Sequence, residues 1–313
     1  MKLGFVSAIL HDLDLNGVLR VASTEGFDCV ELMCWPVGKA ERKYAGVTHV
    51  DVTRLGAGAA RDIRKQCSDA GIAVSSLGYY PNALDPNPAR ARAAVAHLKR
   101  VIRAAALLEV GCVTSFIGRD WTRSIEDNWP RFLKTWRPLI RFAEEHDVRL
   151  GIENCPMLFT RDEWPGGKNL AISPAVWRRM FADIPSRHFG LNYDPSHLVW
   201  MRMDWLKPLR EFRSRLHHVH AKDVSMSQRQ LDDVGILATP LEYHEPRIPG
   251  FGDIDWGRFL GALQGVGYNG PVCIEVEDER FGKTRAGRLR ALVTARQVLA
   301  PLCVSQRPAP TPP

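Results

Sequence analysis

No stretch of this 313-residue chain is long and apolar enough to span a membrane. The N-terminus enters a strand-like run at Leu3–Ile9 and reaches His11-Asp12 before any adequate signal-peptide core or small-residue cleavage site appears. A cytoplasmic protein with no membrane partner is the resulting expectation. Cysteine is sparse and badly placed for a framework: the seven residues, Cys29, Cys34, Cys67, Cys112, Cys155, Cys273 and Cys303, are odd in number, lie far apart and include no Cys-x-x-Cys pair. That pattern argues against a disulfide scaffold or a zinc ribbon and for reduced core residues. The 42 Lys and Arg against 35 Asp and Glu leave a net charge of +7, yet the arginines are scattered through helical patterns and form no dense block, so no nucleic-acid partner is expected. A Gly-x-Gly-x-x-Gly turn after the first strand is also missing, which disfavours a doubly wound dinucleotide-binding sheet.

What is present is an alternation of strand and helix. Apolar β-type runs recur at 3–8, 29–34, 73–80, 112–117, 150–155, 189–193, 216–220 and 272–276, with helical patterns between them, for instance at 88–108, 129–146, 173–183 and 284–299. Ser173-Pro174 reads as an N-cap followed by a first-turn proline, and Ser124-Ile125-Glu126-Asp127 as a capping box. Eight such units predict a closed (β/α)8 barrel occupying residues 1–306 as one domain. Residues 223–252 are long for a strand-to-helix connection and read as an ordered lid or docking surface. The proline-rich tail, 307–313, cannot continue a helix and is expected to be disordered.

Four late strands end in ligand-type residues: Glu153, Asp194, His220 and Glu275. About forty, then twenty-six, then fifty-five residues separate them, as consecutive strand-plus-helix units allow if every ligand sits at the same end of its strand. Three carboxylates and one imidazole suit a single divalent cation: Mn2+ first, with Mg2+, Co2+ or Zn2+ as alternatives. Taken singly, each residue would more simply be a helix cap or a salt-bridge partner. It is their type, order and placement together that argue for a metal site.

These residues, with Asp194-Pro195-Ser196-His197, His220-Ala221-Lys222-Asp223 and Gly250-Phe251-Gly252-Asp253-Ile254-Asp255-Trp256, resemble the sugar phosphate isomerase/epimerase family, whose members have a xylose isomerase-like TIM barrel. The resemblance covers nearly the whole chain and is densest after residue 149. It implies that Glu153, Asp194, His220 and Glu275 hold one catalytic metal, that Glu153 and Glu275 move protons on opposite faces of a sugar, and that His197 contacts the substrate. The implied reaction is proton abstraction next to a carbonyl through a metal-stabilised enediolate, giving isomerisation or epimerisation of a sugar or keto-sugar. The chain departs from the ketose 3-epimerase branch at Met226, where that branch carries an arginine six residues past the histidine. A 3-keto-glycoside lyase using the same site is therefore the alternative. An endonuclease IV-like DNA-repair enzyme is a remote one, because Met33-Cys34-Trp35-Pro36 and Gly78-Tyr79-Tyr80-Pro81 lack its extra histidines.

Around this set several readings stay open. His197 could cap the following helix or orient Asp194. His218, two residues before His220, points to the same face one layer deeper and reads as a hydrogen-bonded core residue. Lys222 and Asp223 could orient a sugar hydroxyl or simply form an ion pair at a loop start. Trp35 and Tyr79 could wall a sugar ring or pack in the core, like Glu31 within the second strand. The Trp200–Trp205 stretch fits either a pocket lining or a contact with a second copy or partner subunit.

Overall fold

The first strand, β1 (Lys2–Val6), pairs in parallel with both β2 (Cys29–Met33) and the last barrel strand, and this double pairing closes the sheet on itself. The structure, a computed structural model, describes residues 1–38, 45–158, 160–163 and 166–303; the tail expected at 307–313 lies outside them. The remaining barrel strands are β3 (Ala73–Gly78), β4 (Cys112–Ser115), β5 (Arg149–Glu153), β6 (Phe189–Tyr193), β7 (Leu216–Ala221) and β10 (Pro271–Ile274). Their spatial order, β1-β10-β7-β6-β5-β4-β3-β2, is that of the (β/α)8 barrel. Between β7 and β10, the 223–252 segment forms an ordered antiparallel pair, β8 (Asp223–Met226) and β9 (His244–Arg247), which lies outside the barrel.

Local sequence explains where the helices begin. Asn87 caps α3 (Pro88–Leu107) ahead of a first-turn proline, and Ser173 caps α5 (Pro174–Asp183) in the same way. Ser124 accepts from the Asp127 backbone N–H at 3.0 Å and returns its hydroxyl to the Asp127 carboxylate, so α4 (Ile125–Glu145) starts four residues earlier than its apolar periodicity predicts. The other helices wrapping the barrel are α1 (Leu15–Thr24), α2 (Ala57–Ala70), α9 (Trp256–Gly265) and α11 (Arg285–Cys303).

Strands β2, β6 and β7 are buried along their whole length, as parallel strands covered by helices must be. The apolar core lies in the layer between sheet and helices, around Phe132, Trp136, Trp177 and Phe189. The barrel interior is different, because it carries the buried polar side chains Glu31, Ser76, Thr114, Asn192, His218 and His220. All seven cysteines are free and six are buried, Cys155 being half-buried.

Candidate metal centre

Every candidate ligand comes from the carboxyl end of a strand in one half of the barrel. Glu153 is the last residue of β5, Asp194 follows β6, His220 is next to last in β7, and Glu275 follows β10. One ligand atom from each of the four lies within 4.8 Å of the others. His220 Nδ1 is 3.7 Å from Glu153 Oε2 and 3.6 Å from Glu275 Oε2.

Asp194 serves two purposes. Its Oδ1 accepts from the Ser196 backbone N–H at 2.8 Å, capping α6 (Pro195–Trp200), while its Oδ2 is left without a hydrogen bond. The ordinary role of a strand-end aspartate is thus met by one oxygen, which leaves the other for a ligand role. Asn154 holds the Asp194 backbone from both sides, accepting from its N–H at 2.8 Å and donating to its carbonyl at 2.9 Å.

His220 is aimed from beneath. Its Nε2 lies 2.9 Å from Glu31 Oε2, and the other Glu31 oxygen accepts from Tyr80 Oη and from Thr114 Oγ1. With Nε2–H donating to Glu31, it is Nδ1 that points into the cluster and offers its lone pair once deprotonated, the arrangement by which a carboxylate fixes the ring and tautomer of a metal-binding histidine. Gly78, at the end of β3, makes room for this: a Cβ there would stand 2.5 Å from Glu31 Oε1. One layer deeper, His218 shares hydrogen bonds with Asn192 and Ser75, as a core histidine should.

Electrostatics follow from this crowding. Burial would raise the Glu31 carboxyl, but the charge and hydrogen bond of His220 outweigh it and hold the group at about 2. Asp194 and Glu275 are likewise kept below the usual carboxylate range against burial, chiefly by Lys222. The Lys222 ammonium lies 2.8 Å from Glu275, 3.2 Å from Glu277 and 3.3 Å from Asp194. Burial lowers His220, yet the carboxylates of Glu31, Glu153 and Glu275 overcome it and drive the imidazole well above its ordinary value.

Three of the buried side-chain atoms that have no hydrogen-bond partner among the described residues belong to this site: Asp194 Oδ2, His220 Nδ1 and His197 Nε2. All three face the same cluster, with His197 Nε2 3.2 Å from Asp194 Oδ2 and 3.5 Å from Glu153 Oε1. Unsatisfied buried groups are costly, and a divalent cation would satisfy the first two directly. The donor set thus fits an oxygen-rich, single-imidazole site of the kind that binds hard or borderline dications.

A cavity of about 380 Å3 opens above the cluster. Glu153, Glu275, Lys222, Glu277 and Cys155 line its polar side, and Val6, Met33, Trp35, Tyr80 and Phe116 its apolar side. Trp35 therefore lines the cavity, but Tyr79 does not: its ring packs edge-on against Trp35 and His97, and it is Tyr80, on the opposite face of the chain, that reaches the site. Asp223 is also turned away. Its carboxylate accepts from the N–H groups of Val224, Gly250 and Ile254 and from Trp256 Nε1, so it fastens the returning end of the insertion instead of facing a sugar. Gly252 of the 250–256 motif serves that anchor, since a Cβ there would collide with the Asp223 carboxylate.

Glu31, Tyr80, Asn154 and Asn192 are site residues that sequence reasoning did not single out for a role. The available signal was Glu31, a charged residue in the middle of an otherwise apolar strand, Cys29-Val30-Glu31-Leu32-Met33.

The profile of the xylose isomerase-like TIM barrel family matches residues 19–300. The chain belongs to that family. Among curated relatives of this xylose isomerase-like barrel is the uncharacterised protein YfiH of Bacillus subtilis, 26% identical, with the match spanning 89% of this chain and 93% of YfiH. An inosose dehydratase of Geobacillus thermodenitrificans is 27% identical over 40% of this chain and 42% of its own length. A solved structure of the IOLI protein with a binding zinc atom superposes with a TM-score of 0.70 at 17% identity, covering 97% of this chain and 98% of that one, which speaks to the fold alone. Proteins of this kind include epimerases and dehydratases.

Proposed function

We propose that this xylose isomerase-like barrel is a metal-dependent enzyme that removes a proton next to the carbonyl of a sugar or keto-sugar and returns it, giving isomerisation or epimerisation. The observation that carries the reading is the pair of unsatisfied buried atoms, Asp194 Oδ2 and His220 Nδ1, held between two glutamates at the floor of an open cavity.

Glu153, Asp194, His220 and Glu275 would hold one divalent cation, Mn2+ being the first candidate. Such a cation supplies Lewis-acid polarisation of the carbonyl and neighbouring hydroxyl oxygens. Glu153 and Glu275 enter the site from β5 and β10, which are separated in the barrel by β6 and β7, so the two carboxylates would reach the substrate from different sides. One removes the proton and the other delivers it. His197 Nε2 and Lys222 Nζ supply donors to the oxygen on which negative charge grows. The apolar wall of Val6, Met33, Trp35 and Phe116 packs against the less polar face of the substrate and keeps water from the carbanionic carbon.

Elimination is the second reading. The same proton removal ends in loss of a leaving group in a dehydratase or a 3-keto-glycoside lyase, and the local similarity to inosose dehydratase supports it. Incubation of metal-loaded protein with free ketoses, inososes and 3-keto-glycosides in deuterated water separates the two. Deuterium incorporation without fragmentation is expected for isomerisation or epimerisation; release of an aglycone or water with a new enone absorbance marks elimination. No exchange and no turnover with any of these, by protein carrying one equivalent of Mn2+, would overturn both.

A further inference from the structure

Trp200 closes α6 three residues after His197, which places the two side chains on one helix face. Its indole Nε1–H donates to His197 Nδ1 at 3.3 Å, with both groups buried. An indole nitrogen can only donate. While that bond stands, Nδ1 must offer its lone pair, so the ring carries its proton on Nε2, the atom that faces Asp194 and Glu153. The location matters because His197, Glu153 and Cys155 form a second group whose ligand atoms lie within 4.8 Å of one another. A bare Nε2 would be one more nitrogen ligand beside the four; an Nε2–H is a hydrogen-bond donor and cannot ligate.

The indole is itself held from above. It stacks face to face on His244, the first residue of β9 in the 223–252 insertion, with ring centroids 4.9 Å apart and planes 15° from parallel. His244 is fixed in turn by the contact of its Nδ1 with the Pro240 carbonyl.

We propose that Trp200 is a positioning residue. Its N–H locks His197 with the proton on Nε2, keeping that ring out of the cation's coordination and presenting it as a donor to substrate, and the insertion acts on the site through the His244–Trp200 stack. This deepens the metal-enzyme reading and rests on it for the consequence, though not for the tautomer.

The test begins with the metal-free wild-type protein labelled with 15N-histidine. Long-range 1H–15N correlation, recorded at a pH where the His197 ring is neutral, is expected to show it protonated at Nε2 and bare at Nδ1; a neutral ring protonated at Nδ1 overturns the proposal with no variant needed. Trp200→Phe keeps a ring for the stack and deletes the donor, and it should turn the single tautomer into a mixture. In Co2+-loaded protein the same variant should shift and weaken the visible d–d bands as Nε2 becomes a ligand, and adding His197→Ala should restore the wild-type spectrum. His244→Ala should move the tautomer ratio in the same direction by a smaller amount, and His244→Phe should rescue it. A Trp200→Phe protein with wild-type tautomer and wild-type cobalt spectrum would sink the idea. Failure of the protein to bind Co2+ at all would instead count against the metal centre, while the metal-free spectrum still decides the role of Trp200.

Discussion

The two halves of the barrel mouth differ in kind. Strands β5, β6, β7 and β10 end in Glu153, Asp194, His220 and Glu275, whereas β1 to β4 lead to Val6, Trp35, Tyr80 and Phe116, and their one interior carboxylate, Glu31, points beneath His220 and not into the cavity. One half carries charge that is expensive to bury; the other supplies a low-dielectric wall, in which the proposed chemistry would make that charge effective. Glu31 is where they meet, since the apolar half uses it to aim His220, a candidate ligand of the polar half.

The strongest break in this comparison is removal of a proton carrier. Glu153→Gln should lower turnover by roughly 10²–10⁴-fold, as loss of general acid–base catalysis does, measured as kcat on whichever substrate the exchange assay identifies. A variant with wild-type turnover would remove Glu153 from the chemistry.

Next comes the internal cation. Lys222→Met leaves Asp194, Glu275 and Glu277 without their ammonium partner, and loss of one member of a buried ion pair typically destabilises by about 3–5 kcal/mol. Urea unfolding of metal-stripped protein should show that loss, and added Mn2+ should relieve part of it.

Glu31→Gln tests the link between the halves. Weakening the carboxylate that orients a ligating imidazole should reduce metal affinity by about 10–100-fold, read by competition with a chromophoric chelator. Metal binding by the wild-type protein should also strengthen as pH rises. The neighbouring carboxylates hold a proton on His220, and the cation has to displace it from Nδ1, so binding should release protons into a weakly buffered solution.

A last effect is expected on the outer face of β7. Burial holds His217 down at about 3 against an ordinary value of 6.5, so between those limits the unfolded chain binds the proton that the folded one refuses. Its stabilising contribution is complete above about pH 6.5 and is lost as pH falls toward 3. Urea midpoints measured across that window should fall with pH, and less steeply in His217→Gln.

The barrel and the convergence of four candidate ligands were legible because both are written in local pattern. Alternating apolar runs and helix caps give eight units, and a ligand-type residue closes four of the strands. Tyr79 and Tyr80 show the limit of that reading: adjacent residues take opposite faces, and strand-end placement alone does not say which one turns inward. Asp223 shows another, since its partners at Gly250, Ile254 and Trp256 lie about thirty residues ahead and only the folded insertion brings them to its carboxylate.

The chain by itself therefore determined the repeat of strand and helix, the end of the barrel where the four candidate ligands gather, and their residue types, all of which follow from periodicity and side-chain chemistry. Tertiary structure decided orientation: that Glu31 reaches across 189 positions to hold His220, that Trp200 turns its N–H to His197, and that one oxygen of Asp194 caps a helix while the other faces Lys222 and the cluster. Hydrogen-bond direction depends on which distant groups are packed within 3 Å or so, and no spacing along the sequence encodes that.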